Sequence, residues 1–188
     1  MVYSVIYSLS VQEVALTFLN RWTMKQTFLT VEAIVEIPRG SRNKYEIDHT
    51  TGTIHLDRVL FSSVHYPADY GFIPNTKGSD GDPLDVLILV EEPTFPGCRV
   101  QIRPIGVLIM RDEKGVDEKI LGVPIADPRF DGIEDISQVQ KHWLIELENF
   151  FGTYKLLEKK ETRVEAWKDS KVAKAVLKKY WIGEEDSC

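Results

Sequence analysis

Cysteine is almost missing from this chain: only Cys98 and Cys188 occur in 188 residues, far apart, with no C-x-x-C pair. That excludes a disulfide framework and a thiolate zinc cage, and makes a reducing cytoplasm the default setting. Long apolar runs are missing too. The longest, Val86–Val90, is a strand's worth, far short of the roughly 18–20 residues that span a bilayer. No Lys/Arg-rich tract follows the pattern of a nucleic-acid footprint, and the net charge is −6, which weighs against general nucleic-acid binding. What remains is an ordinary globular balance, 43% hydrophobic and 28% charged, of a size that suits one domain with a small appendage. No internal repeat or low-complexity segment interrupts it.

Residues 1–23 stand apart. Met1–Leu19 is moderately apolar, yet its first charge is Glu13, so the basic start of a secretory signal is lacking. Met24-Lys25 could mark a second start. The expectation is an N-terminal extension over 1–23, dispensable or a structural arm, followed by a single domain over 24–188.

Within that domain, Phe28–Pro38 alternates apolar and polar residues and predicts a strand. Tyr45–Asp48 and Thr53–Leu56 flank Thr51-Gly52 as a hairpin. Leu84–Val90 predicts a buried strand. Arg99–Met110 predicts a long one with a bulge or edge at Pro104 and Gly106, and Lys119–Pro124 a short one. Ile136, Val139, Trp143, Leu147, Phe150 and Tyr154 then recur at helical spacing, with Asp135 or Ser137 as a cap. A second helix is predicted from about Asp169, with Val172, Val176 and Tyr180 on one side. Strands first and helices last imply an α+β fold: a small twisted antiparallel β-barrel with two helices in the C-terminal third.

The chemistry concentrates before the most hydrophobic strand. Asp80-Gly81-Asp82-Pro83-Leu84-Asp85 holds three carboxylates whose mutual repulsion reaches several kcal/mol at intermediate dielectric. A cation relieves it, and oxygen-only ligands select hard ions such as Mg²⁺, Mn²⁺ or Ca²⁺. A plain polar turn is the competing account. An EF-hand fits Asp80, Asp82 and Glu91 at positions 1, 3 and 12 but fails at Leu84, at Asp85 where glycine is required, and over the buried strand that follows. A second acidic stretch, Asp112 to Glu118, is either a solvated hairpin loop or the other half of the same site.

Upstream lie Glu36-Ile37-Pro38, Lys44-Tyr45-Glu46-Ile47-Asp48, Asp57-Arg58 and Tyr66-Pro67-Ala68-Asp69-Tyr70-Gly71-Phe72-Ile73; downstream lies Phe150-Phe151-Gly152-Thr153-Tyr154-Lys155. Any of these lysines could be a solvated charge, and the tyrosines core residues. In this order, however, the segments resemble the soluble inorganic pyrophosphatase family of the small β-barrel type, over roughly Val31 to Trp167.

The resemblance implies hydrolysis of pyrophosphate to two orthophosphates in the presence of several Mg²⁺ ions, with other divalent ions as substitutes. Asp80, Asp85 and Asp117 would ligate a first metal, with Asp85 reaching a second. Asp112 and Asp117 would hold ions arriving with substrate, and Glu46 a further one through water. Asp82 would be the general base. Lys44, Arg58, Tyr70, Lys119, Tyr154 and Lys155 would bind phosphate oxygens, with Glu36 and Tyr66 supporting them. A homohexamer is implied by bacterial relatives, although Asn149 and Thr153 stand where some of those carry interface histidines. His49, His55, His65 and His142 match no catalytic role. Rival functions are a nucleotide or polyphosphate phosphatase, a nucleic-acid-binding barrel, or a metal-binding relative without turnover.

Overall fold

The computed structural model describes residues 30–113 and 115–183; the boundary expected at residue 23 lies outside them. The first described strand, β1 (Val31–Ile37), alternates as the sequence does, with Val31, Ala33, Val35 and Ile37 buried. β2 (Asn43–Ile47) and β3 (Ile54–Val59) form a separate hairpin. β4 (Asp69–Ile73), β5 (Leu84–Ile88), β6 (Arg99–Asp112) and β7 (Gly115–Pro124) complete a sheet ordered β1-β4-β5-β7-β6, and β1 pairs with β6 as well. That second pairing closes the five strands into a ring. A further strand, β8 (Arg163–Asp169), is added outside it along β6.

Closure needs a strand that bends. β6 does so at the register shift between Pro104 and Gly106, where proline removes one ladder donor and the ladder is broken locally. Close approach is enforced elsewhere by Gly71. A Cβ there would stand 1.9 Å from the Ile34 carbonyl oxygen of β1, so only glycine lets β1 and β4 pair.

Strands buried on both faces explain the continuous apolar run of β5. Val86 and Ile88 join one core with Val31, Ala33, Val35, Ile102 and Ile120, completed by Ala173, Val176 and Leu177 of α2 (Ser170–Tyr180). Leu87 and Leu89 face the other core, with Leu108, Leu121 and the helix residues Leu147, Phe150 and Phe151 of α1 (Lys141–Thr153). Asp169 caps α2, its carboxylate accepting the Val172 N–H at 2.9 Å.

Three details depart from expectation. The helix predicted from Ile136 begins only at Lys141, because Ile136–Gln138 is a 3₁₀ turn and Val139 is extended. Asp135 caps that turn in a capping box with Gln138; Ile136 and Val139 still pack on the core, so their spacing mimicked a longer helix. The sheet is not wholly antiparallel, since β5 and β7 run parallel. β8, lying between the helices, was not expected: none of its seven residues is fully buried and only Val164 and Trp167 pack against the core, so its apolar signal is short.

Candidate active site

Parallel pairing of β5 with β7 sets Val86 beside Ile120, so Asp85 lies beside Lys119. Period-two alternation puts Asp117 on the same face as Lys119. The Lys119 ammonium pairs with Asp85, stands 3.0 Å from Asp117, and donates at 3.2 Å to the Tyr70 hydroxyl of β4. Tyr70 donates its proton to Asp85 at 2.5 Å. Burial alone would lower the Lys119 pKa, but the two carboxylates outweigh it and raise it. Burial pushes the Tyr70 hydroxyl well up, with Asp85 and Asp117 adding to it. Both groups are therefore firmly protonated.

Asp117 itself is raised, first by burial and then by Asp85 and Asp112, with Lys119 opposing. Burial likewise lifts Glu36 to about 7, although its carboxylate accepts the Ile47 N–H at 3.0 Å. Both acids are raised first by burial, and the Asp85 charge adds to each.

The Asp80 loop is fixed from beneath. Buried Thr76 donates to the Ile73 carbonyl and accepts the Leu84 N–H at 2.9 Å, while Gly78 N–H donates to the Asp82 carbonyl at 2.7 Å. Gly81 has φ of 95°, left-handed backbone that glycine adopts freely; hence the glycine between the two aspartates. Asp80 accepts the Asp82 N–H at 3.2 Å. The Asp82 side chain is exposed and makes no hydrogen bond or ion pair with the described residues.

The opposite wall comes from the hairpin and from the C-terminal end of α1. Lys44 pairs with Glu46 and stands 3.1 Å from Asp57. Lys155 lies 3.1 Å from Asp112, and Tyr154 is buried. Thirteen of the fourteen residues singled out from sequence line one cleft of about 790 Å³; the other, Lys119, is 2% exposed and reaches it from below through Asp85 and Asp117. His49 and His55 also line the cleft, and His65 lines a neighbouring groove. Sequence reasoning did not single out Asp48, Asp57 or Glu158. Asp57 was visible only as half of Asp57-Arg58, and Glu158 carried no signal at all.

The carboxylates are spread along the cleft: among the described residues no three acidic, histidine or cysteine side chains converge on a single point. Eleven carboxyl side chains line it against four basic ones. A closed five-strand ring carrying such an acidic cleft suits a site that takes up cations, and lacks there the basic surface that nucleic-acid binding requires.

Comparison with known proteins makes this particular. The family model for inorganic pyrophosphatase matches residues 33–182. The inorganic pyrophosphatase of Leifsonia xyli is 51% identical over 147 residues, covering 78% of this chain and 90% of that protein. That of Methanosarcina mazei is 52% identical over 144 residues, covering 77% and 85%. The crystal structure of inorganic pyrophosphatase from Thermus thermophilus superposes with a TM-score of 0.79 at 46% identity, covering 82% of this chain and 90% of that one. The chain belongs to the inorganic pyrophosphatase family and is a hydrolase that splits pyrophosphate into two phosphates.

Proposed function

We propose that the cleft binds pyrophosphate together with several Mg²⁺ ions, with Asp82 as general base. The supporting observation is the excess of eleven carboxyl groups over four basic side chains on its walls. A dense anion cannot enter such a cleft against that charge, so cations must enter with it or before it. The donor set fits: Asp80, Asp85, Asp112, Asp117 and Glu46 offer only oxygen, which suits a hard, octahedral ion. Asp117 is raised first by burial, and Asp85 and Asp112 add a repulsion that such an ion relieves. When bound, the divalent ions supply Lewis acidity for water and neutralise phosphate oxygens.

The chain's own residues do the rest. The unengaged carboxylate of Asp82 is free to accept the proton of an attacking water, whereas Asp85 is already committed to Tyr70 and Lys119. Lys44, Arg58, Lys119 and Lys155 supply charge, and Tyr70 and Tyr154 hydroxyl donors, for the phosphate oxygens. Glu36 and Tyr66 support the walls. Burial raises the Tyr66 hydroxyl, which keeps it a neutral donor throughout the physiological range.

The assembly proposed is a homohexamer. Exposed Ile145 on α1, with Leu156 and Leu157 just after it, 59% and 63% exposed, supports an apolar contact there. A cytoplasmic setting accords with the scarcity of cysteine, and among the described residues no helix is long and apolar enough to cross a membrane. Residues 1–23 remain, in this reading, an addition to a domain that starts near Met24.

Phosphate release from pyrophosphate, with and without Mg²⁺ and beside ATP, tests the reading. Release should require the ion and strongly favour pyrophosphate. Asp82→Asn should keep the fold and metal binding while turnover falls by about 10²–10⁴-fold, the span ascribed to general acid–base catalysis. Undiminished turnover in that variant would refute the assignment of Asp82.

A further inference from the structure

Immediately after α1 the chain turns outside in. In the 3₁₀ turn Leu156–Glu158, the two leucines are exposed while the Glu158 side chain is only 6% exposed. The turn is held by Glu158 N–H to the Lys155 carbonyl at 3.0 Å and Lys160 N–H to the same oxygen at 3.3 Å. It ends on Lys159 with φ of 57°, a left-handed conformation unfavourable for a residue with a Cβ. What this turn buries is a carboxylate.

That carboxylate meets Arg58, one hundred positions earlier. Glu158 Oε1 accepts the Arg58 Nε–H at 3.0 Å, and Asp57 accepts from Nη1 at 2.5 Å. The third nitrogen, Nη2, makes no hydrogen bond with the described residues. Burial would lower the Arg58 pKa, but Glu158 and Asp57 together raise it. A guanidinium is a planar fork. Holding one edge by a nearly buried carboxylate fixes its rotation and leaves the remaining donor for a ligand.

We propose that Glu158 is a positioning residue: it fixes the guanidinium of Arg58 in the orientation that receives a phosphate of pyrophosphate. This rests on the reading of Arg58 as a phosphate-binding group. Glu158 itself touches no substrate; it acts through Arg58, and links the turn after α1 to the β2–β3 hairpin that carries Arg58.

The test is a double-mutant cycle on the full chain with Mg²⁺, reading kcat and KM for pyrophosphate separately, with melting temperature followed in every variant. Glu158→Gln should lower kcat/KM about tenfold, the scale of one charge-assisted hydrogen bond. In the Arg58→Lys background, where no fork remains to be oriented, the same change should cost less than twofold. Equal factors in both backgrounds would overturn the proposal and leave Glu158 a structural bridge. An Arg58→Lys variant with unchanged kcat/KM would instead overturn the phosphate role of Arg58, and the positioning role with it. If Glu158→Gln fails to fold, Glu158→Asp, which keeps the charge but withdraws it by one methylene, is read in the same cycle with the same outcomes.

Discussion

Glu36 offers a direct measure of how much folding energy this molecule ties up in its cleft. Its carboxyl is lifted from 4.5 to about 7, chiefly by burial and then by Asp85 and Glu46, against the pull of the Ile47 N–H and Lys44. A folded pKa above the unfolded one means that the folded state holds the proton more tightly. The favourable contribution is thus complete below pH 4.5 and lost as pH rises through 7. At ~1.36 kcal/mol per pH unit, that loss is about 3 kcal/mol by pH 8. Glu36→Gln keeps an oxygen for the Ile47 N–H and carries no charge to bury. With a chelator present, the variant should be more stable than the parent by up to about 3 kcal/mol at pH 8, or roughly 6–12 °C in melting temperature for a chain of this size. At pH 4 the two should melt together. Urea unfolding at both pH values reads the difference. A gap of equal size at both, or a variant less stable at pH 8, would refute the reasoning. Activity with Mg²⁺ should fall in the same variant, a trade of function for stability.

Other expected outcomes can be measured on the same footing. Lys119→Met leaves Asp85 and Asp117 facing each other without their ammonium; it should cost about 3–5 kcal/mol in chelator, and added Mg²⁺ should recover part of that in a thermal melt. Gly71→Ala forces a Cβ into the Ile34 carbonyl, so the soluble yield or urea midpoint should drop sharply, whereas Gly152→Ala, which meets nothing within 4 Å, should leave the midpoint unchanged or raised. Asp135 is held well below the usual carboxylate range by the Ser170 and Ser137 N–H groups, so its contribution is present above the unfolded pKa and lost as pH falls below about 4. Asp135→Ala should therefore cost about 1–2 kcal/mol at pH 7 and progressively less toward pH 3, by urea midpoint.

Much of this was readable in the sequence, and what was missed has physical causes. Strands buried on one or both faces, such as β1 and β5, advertise themselves by period or by an unbroken apolar run. β8 does not, because its two core-packing residues, Val164 and Trp167, fall three apart across a register shift against β6, which breaks the period-two pattern. Asp80, Asp82 and Asp85 were visible because they lie within one turn of chain. That Asp117 joins them was only a suggestion until the parallel pairing of β5 and β7 supplied the register. Glu158 was invisible: a glutamate beside two leucines reads as an exposed charge, and only the inverted turn after α1 buries it.

The closed ring also sets a timetable. β1 cannot complete its pairing until Arg99–Ile102 has been made, some 65 residues later, and contacts so distant in sequence form slowly. A ribosome therefore delivers every carboxylate lining the cleft, through Glu118, before Tyr154 and Lys155. The turn that brings Lys155 to Asp112 is made only after all of those acids have left the ribosome. Any product cut short ahead of that turn would retain all the lining acids while lacking part of the basic wall.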